Sequence, residues 1–189
     1  MNRLIADFDP VIQQIEGQLH KGKLPWQSGW SDKPGLTLNT TFSSIDSCET
    51  IVRNMPHPPL LKIGGNLAMY QREIDTVCMP DRSMFQSNYF FYGTLFHEMA
   101  HSTAHNSRLN RPVIPGDNSI FSKKDKAKEE IIAECAAACL SMVAGTLSHT
   151  IDNHAAFIQS WLNILLNDEY LFKQLTEKAK SAAAYILHI

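Results

Sequence analysis

Apolar residues recur at helical spacing in five stretches of this chain and at strand spacing in one short region. Val11, Ile12, Ile15 and Leu19 form a stripe behind Asp9-Pro10, an N-cap residue with a proline suited to a first turn, and Gly22 ends it. Leu60 to Ile63 and Leu67 to Tyr70 read as short strands around Gly64-Gly65-Asn66, a hairpin signal, and Ile74 to Met79 as a third strand closed by Pro80. From about Asn88 to His105 a helix is expected with two apolar edges, Phe91/Leu95/Met99 and Phe96/Ala100, which implies that it is buried. A further helix runs from about Lys123 to Ala144, stopped by Gly145. Its middle, Ala133 to Cys139, is nearly all Ala and Cys, so a neighbouring helix can approach closely. Asp152 and Asp168 are N-cap candidates for two last helices, which bury Phe157, Trp161 and Leu165, then Leu171, Leu175, Tyr185 and Ile186. Leu24 to Asn39 and Arg108 to Ile120 read as irregular. Residues 40 to 59 carry no clear period, and Met55-Pro56-His57-Pro58-Pro59 excludes regular helix or central strand.

Composition adds little and excludes more. At 189 residues the chain is long enough for one domain with a real core, and a net charge of −2 gives no general attraction to nucleic acid or anionic membrane. No stretch approaches the apolar length of a membrane span. The apolar run at the N-terminus is too short for a signal peptide, so a cytoplasmic protein is expected. Cys48, Cys78, Cys135 and Cys139 form no CxxC pair and read as small buried hydrophobes with free thiols.

The chemistry lies in His97-Glu98-Met99-Ala100-His101, an HExxH sequence on the buried helix. Residues i and i+4 share a helix face, so both imidazoles can address one metal ion, with Glu98 beside them as a base for a water molecule. Two histidines do not complete a zinc site. His105 continues the series at i+8 but lies roughly 12 Å from His97 along a straight helix, too far to share an ion. Glu130 and Glu134, on the alanine-rich helix, share a face at i, i+4. One can bind the metal while the other orients a ligand histidine through its second ring nitrogen. Glu129, beside Lys123, Lys124, Lys126 and Lys128, reads as part of a solvated charged face. His20, His57, His149, His154 and His188 read as surface or capping residues. Tyr89 and Tyr92 read as core packing, with oxyanion donation as the other role open to them.

Tyr92 to His105, followed by Arg108-Leu109-Asn110-Arg111, resembles the zincin-like metallopeptidase domain of ArdC-type antirestriction proteins and phage polyvalent proteins. Ala68-Met69-Tyr70 and Asp75 to Pro80 resemble the strand pair before that helix, Glu129 to Glu134 its acidic helix, and Asp152 to Leu166 and Ala179 to Leu187 its closing helices. The resemblance covers about Leu67 to the C-terminus. The family usually carries Gly at the position of Ala104. In ArdC-type proteins the metallopeptidase follows a single-stranded-DNA-binding domain. Here Val11 to Trp30, with Pro25, Trp26 and Trp30, resembles only the opening of that domain, and Asn39 to Phe42 a further remnant. Residues 1 to 65 carry six basic and six acidic residues, a poor phosphate binder, although the tryptophans could stack on bases.

The resulting expectation is an α+β, zincin-like metallopeptidase, with a small, mostly antiparallel sheet packed on the HExxH helix and a glutamate-bearing helix behind. Residues 1–65 form an N-terminal helix and irregular segment packed on a metallopeptidase domain at 66–189. His97, His101 and Glu130 hold Zn2+, Glu134 serves as outer partner or substitute ligand, and Glu98 is the general base for hydrolysis of a protein or peptide substrate. The strand from Ile74 to Met79 is the expected edge for an extended peptide. The alternative is an antirestriction or ssDNA-binding protein whose metal site is structural.

Overall fold

The computed structural model describes residues 7–21, 29, 43–112 and 123–189. The expectations for Pro25, Trp26, Trp30 and Asn39 to Phe42, and for most of the loop after Pro112, lie outside these residues. The described elements are α1 (Asp9–His20), α2 (Asp46–Asn54), β1 (Leu60–Ile63), β2 (Met69–Gln71), β3 (Thr76–Met79), α3 (Asn88–Ser102), α4 (Lys123–Val143), α5 (Ile151–Leu162) and α6 (Glu169–Leu187). All five expected helices are present. α2 is added in the stretch that carried no clear period, burying Cys48 and Ile51.

The α+β class stands, but the sheet is mixed rather than mostly antiparallel. Its order is β1-β3-β2, with β1 parallel to β3 and β2 antiparallel to it. The glycines cause the difference. Gly64 and Gly65 both take positive φ, 124° and 96°, and carry the chain past β3 instead of folding β2 back on β1. The true hairpin is β2–β3. It turns through a 3-10 segment, Arg72–Ile74, and Asp75 in the left-handed region, φ 47°. The Tyr70 hydroxyl donates to Asp75 Oδ1 at 2.8 Å and fixes that turn. β1 is then zipped onto β3 by Leu60 N–H to Asp75 O (2.9 Å) and Gly64 N–H to Met79 O (3.0 Å). β3 is consequently central, with both edges used, and cannot accept an added peptide strand as expected from its sequence.

The core lies between the sheet and the helices. α3 buries Phe91, Tyr92, Leu95, Phe96, Met99 and Ala100, and α4 buries every residue from Ile131 to Ser141. With alanine at 133, 136, 137 and 138, α4 packs closely against both α3 and α6. α1 packs on α5, where Gln18 donates to Asp152 at 2.8 Å. Asp152 is therefore a first-turn residue rather than a cap. Asp168 does cap α6, accepting from Leu171 N–H at 2.9 Å.

Candidate metal centre

α3 is held at both ends. At its start the Ser87 hydroxyl accepts from Phe90 N–H at 3.3 Å. At its end the Thr103 and His105 N–H groups bond Ala100 O and Ser102 O, and arginines add charged donors to the terminal carbonyls. Arg111 Nη2 reaches Ala100 O (3.1 Å), Arg108 Nη1 reaches Ser102 O (3.0 Å) and Arg72 Nη1 reaches Ala104 O just beyond. The helix stops at Ser102, three residues before the expected His105. His105 lies past the end with Nδ1 at 2.7 Å from Ser107 Oγ, away from the histidine pair.

His97 and His101 converge from one face of this helix. Their Nε2 atoms are 3.0 Å apart, and Glu130 Oε2 from α4 lies 3.4 Å from the first and 3.8 Å from the second. Four-coordinate zinc with bonds of about 2.0–2.2 Å puts neighbouring donors roughly 3.3–3.5 Å apart, so three neutral or anionic donors at these separations fit one divalent ion. Both outer ring nitrogens meet carboxylates. His97 Nδ1 is 2.6 Å from Glu134 Oε2, and His101 Nδ1 is 3.4 Å from Glu129 Oε1. With Nδ1–H donating outward, each Nε2 lone pair faces the centre.

The electrostatics demand positive charge at this point. Burial would lower the His97 imidazole, but bonds to Glu130 and Glu134 raise it well above its ordinary value. His101 likewise resists burial and, through Glu129 and Glu130, is pushed up to about 9. Burial would raise Glu130, yet the two histidines hold it far below the usual carboxylate range. Glu134 is held down to about 2 against its burial by His154 and His97. Glu98 behaves differently. Burial raises its carboxyl, only partly offset by the two histidines and, least, by the backbone of Tyr70 on β2. A buried carboxylate whose pKa is raised is a stronger base than an ordinary one.

Two residues depart from their expected surroundings. Glu129 is mostly buried, its side chain 17% exposed. Arg111 Nη2 pairs with its Oε1 at 2.6 Å and draws it under the end of α3 to His101. Its lysine neighbours in sequence gave no sign of a partner 18 residues upstream. His154 is neither surface nor cap. It is buried, with Nδ1 2.6 Å from Glu134 Oε1. The run Ala155-Ala156-Phe157-Ile158 beside it was the available sign of an apolar setting. Tyr92 packs in the core and donates to Glu49 Oε1 at 2.6 Å, while Tyr89 stacks on His149 at 3.8 Å, so both are packing residues. The Phe157 ring meets the His97 ring edge-on at 5.4 Å and walls one side of the site. All four cysteines are free; burial pushes the Cys139 thiol up to about 12, which makes it inert.

A histidine pair and a glutamate on two packed helices, under a small sheet, define a metallopeptidase-like centre. The chain belongs to the zincin-like metallopeptidase family MPTase-PolyVal, which its residues 48–179 match. In structure it is similar to the antirestriction ArdC protein from the R388 plasmid. The Mn(II)-bound form is 28% identical, with a TM-score of 0.59 over 82% of this chain and 55% of that one. The metal-free form is 29% identical, with a TM-score of 0.54 over 80% of this chain and 51% of that one. Among curated relatives, a DNA primase TraC from Escherichia coli is 29% identical over 150 residues, 78% of this chain and 10% of TraC. The chain thus spans about half of ArdC and a tenth of TraC. Among the described residues no helix is long and apolar enough to cross a membrane.

Proposed function

We propose that this chain is a zinc-dependent peptidase that hydrolyses peptide bonds in a cytoplasmic protein substrate. The observation that carries the reading is the triangle of His97 Nε2, His101 Nε2 and Glu130 Oε2, at 3.0, 3.4 and 3.8 Å, with Glu98 one residue away. His97, His101 and Glu130 hold the ion, and Glu134 and Glu129 orient the two imidazoles. Two imidazoles and one carboxylate at near-tetrahedral spacing favour Zn2+ over Mn2+, which prefers more oxygen ligands. When bound, the ion supplies Lewis acidity to the scissile carbonyl and acidifies water toward a pKa of about 7. Glu98 accepts the proton of the attacking water on its carboxylate and returns it to the leaving amine. Among the described residues β2 is an outer strand of the sheet, and the backbone of its Tyr70 acts on Glu98. It is the edge we assign to an extended substrate, in place of β3.

Glu98→Gln keeps the side chain's shape and removes its basicity. It should preserve fold and zinc while abolishing cleavage, read as the loss of wild-type-dependent protein N-termini when both forms are expressed in a bacterial host. Identical fragment patterns from the two forms would sink the peptidase reading. A second reading is supported by the resemblance to ArdC, an antirestriction protein, and to the primase TraC: ssDNA binding and antirestriction with a structural metal. That reading expects steeply salt-dependent ssDNA affinity and an antirestriction phenotype that both survive Glu98→Gln.

A further inference from the structure

We propose that His154 is a positioning residue of the metal centre: from α5 it fixes the Glu134 carboxylate and, through it, the ring of His97. The inference rests on the reading of His97, His101 and Glu130 as a metal site. Glu134 spends one oxygen on each histidine, Oε2 on His97 Nδ1 and Oε1 on His154 Nδ1, both at 2.6 Å. Glu134 is 7% exposed and His154 3%. Water therefore does not compete for either contact.

The imidazole comes at a cost to the fold. Its second nitrogen, Nε2, is buried without a hydrogen-bond partner among the described residues. A leucine or phenylalanine would fill this space with no polar atom to satisfy. What an apolar side chain could not do is donate to Glu134 Oε1. Without that donor a buried carboxylate oxygen would be left unpaired, and the carboxylate would be free to rotate off His97 or to take up a proton. The His154 ring also lies against α3, at ordinary contact distance. Gly93 lies one turn before His97, and a Cβ there would stand 3.8 Å from His154 Cε1 and 4.0 Å from Nε2. The ring thus lies across a bare stretch of the same helix whose histidine it steadies. The chain His97–Glu134–His154 joins α3, α4 and α5, so the aim of one metal ligand depends on the docking of a helix that carries no ligand.

The test is zinc titration of the full chain against a competing chelator. His154→Leu and His154→Phe should fold and lose roughly ten- to a hundredfold in zinc affinity, the range expected for an outer partner. His154→Asn, whose amide can still donate to Oε1, should recover most of that loss. In a Glu134→Ala background His154→Leu should be nearly silent, because the residue it acts through is gone. Wild-type affinity in both apolar variants would overturn the proposal, as would an equal loss with and without Glu134. If one apolar variant fails to fold, the other and His154→Asn carry the comparison. A wild-type chain that binds no zinc would overturn the metal-site reading itself, and this inference with it.

Discussion

Arg108 grips Asp75 with both arms of its guanidinium, Nη1 to Oδ1 at 2.9 Å and Nη2 to Oδ2 at 2.8 Å, while its side chain is 1% exposed. The same side chain donates to Ser102 O at the end of α3 and to His57 O before β1. One buried cation thus ties the β2–β3 turn to the end of the motif helix.

Arg108→Leu should destabilise the chain by about 1–3 kcal/mol, since Asp75 loses its bidentate partner and the His57 carbonyl its donor, while Tyr70 still donates to Asp75 and the His105 N–H to Ser102 O. Urea unfolding measures this. Metal stoichiometry should stay unchanged, because no ligand is touched.

Asp75 also sets part of the acid stability. Burial would raise its carboxyl, but hydrogen bonds from Arg108 and Tyr70 outweigh burial and hold it below its ordinary 3.8. A depressed carboxylate stabilises the fold fully above its unfolded pKa and loses that contribution as pH falls through its folded value. Asp75→Asn should therefore lower stability at neutral pH and flatten the decline below a pH of about 4, measured as melting temperature against pH.

The assignment of the third ligand separates two neighbours in sequence from one in space. Glu130→Gln should weaken zinc binding well beyond the roughly ten- to hundredfold expected for Glu134→Gln. His105→Ala should leave it unchanged, because His105 sits past the end of α3 beside Ser107. His97→Ala should abolish binding. Loss of the metal in His105→Ala with retention in Glu130→Gln would reverse the assignment.

Metal uptake should release protons. In the metal-free chain, burial alone would lower His101, but Glu129 and Glu130 push it up to about 9. Below that pH a proton occupies the ring and must leave before Nε2 can bind. Zinc affinity should fall as pH drops below about 9, by up to about tenfold per pH unit for each proton displaced. Calorimetry in buffers of different ionisation enthalpy would show the release directly.

Much of this centre is written locally. The HExxH spacing, the two apolar edges of its helix and the alanine run of α4 each follow from residues close together in sequence. So does the shared face of Glu130 and Glu134. What the sequence hides is set by distant partners. Glu129 reads as a surface acid among lysines until Arg111 closes over it, and His154 reads as peripheral until Glu134 meets it across 20 residues. Sheet topology fails for the same reason: Gly64-Gly65-Asn66 signals a turn, but nothing near it says that β3 will insert between β1 and β2.

The alanines of α4 have a consequence for how errors reach the metal. Ala133, Ala136 and Ala137 are wholly buried on the helix that carries Glu130 and Glu134. Metal–ligand bonds tolerate displacements of about 0.2 Å, far less than the width of a methyl group. An added methyl at any of these fully buried positions would press on the neighbouring helices, and a shift of the rod would carry both glutamates together. Substitutions that touch neither ion nor ligand would then act as detuning screws, and metal retention, more than melting temperature, would be the sensitive gauge of a change anywhere along that buried spine.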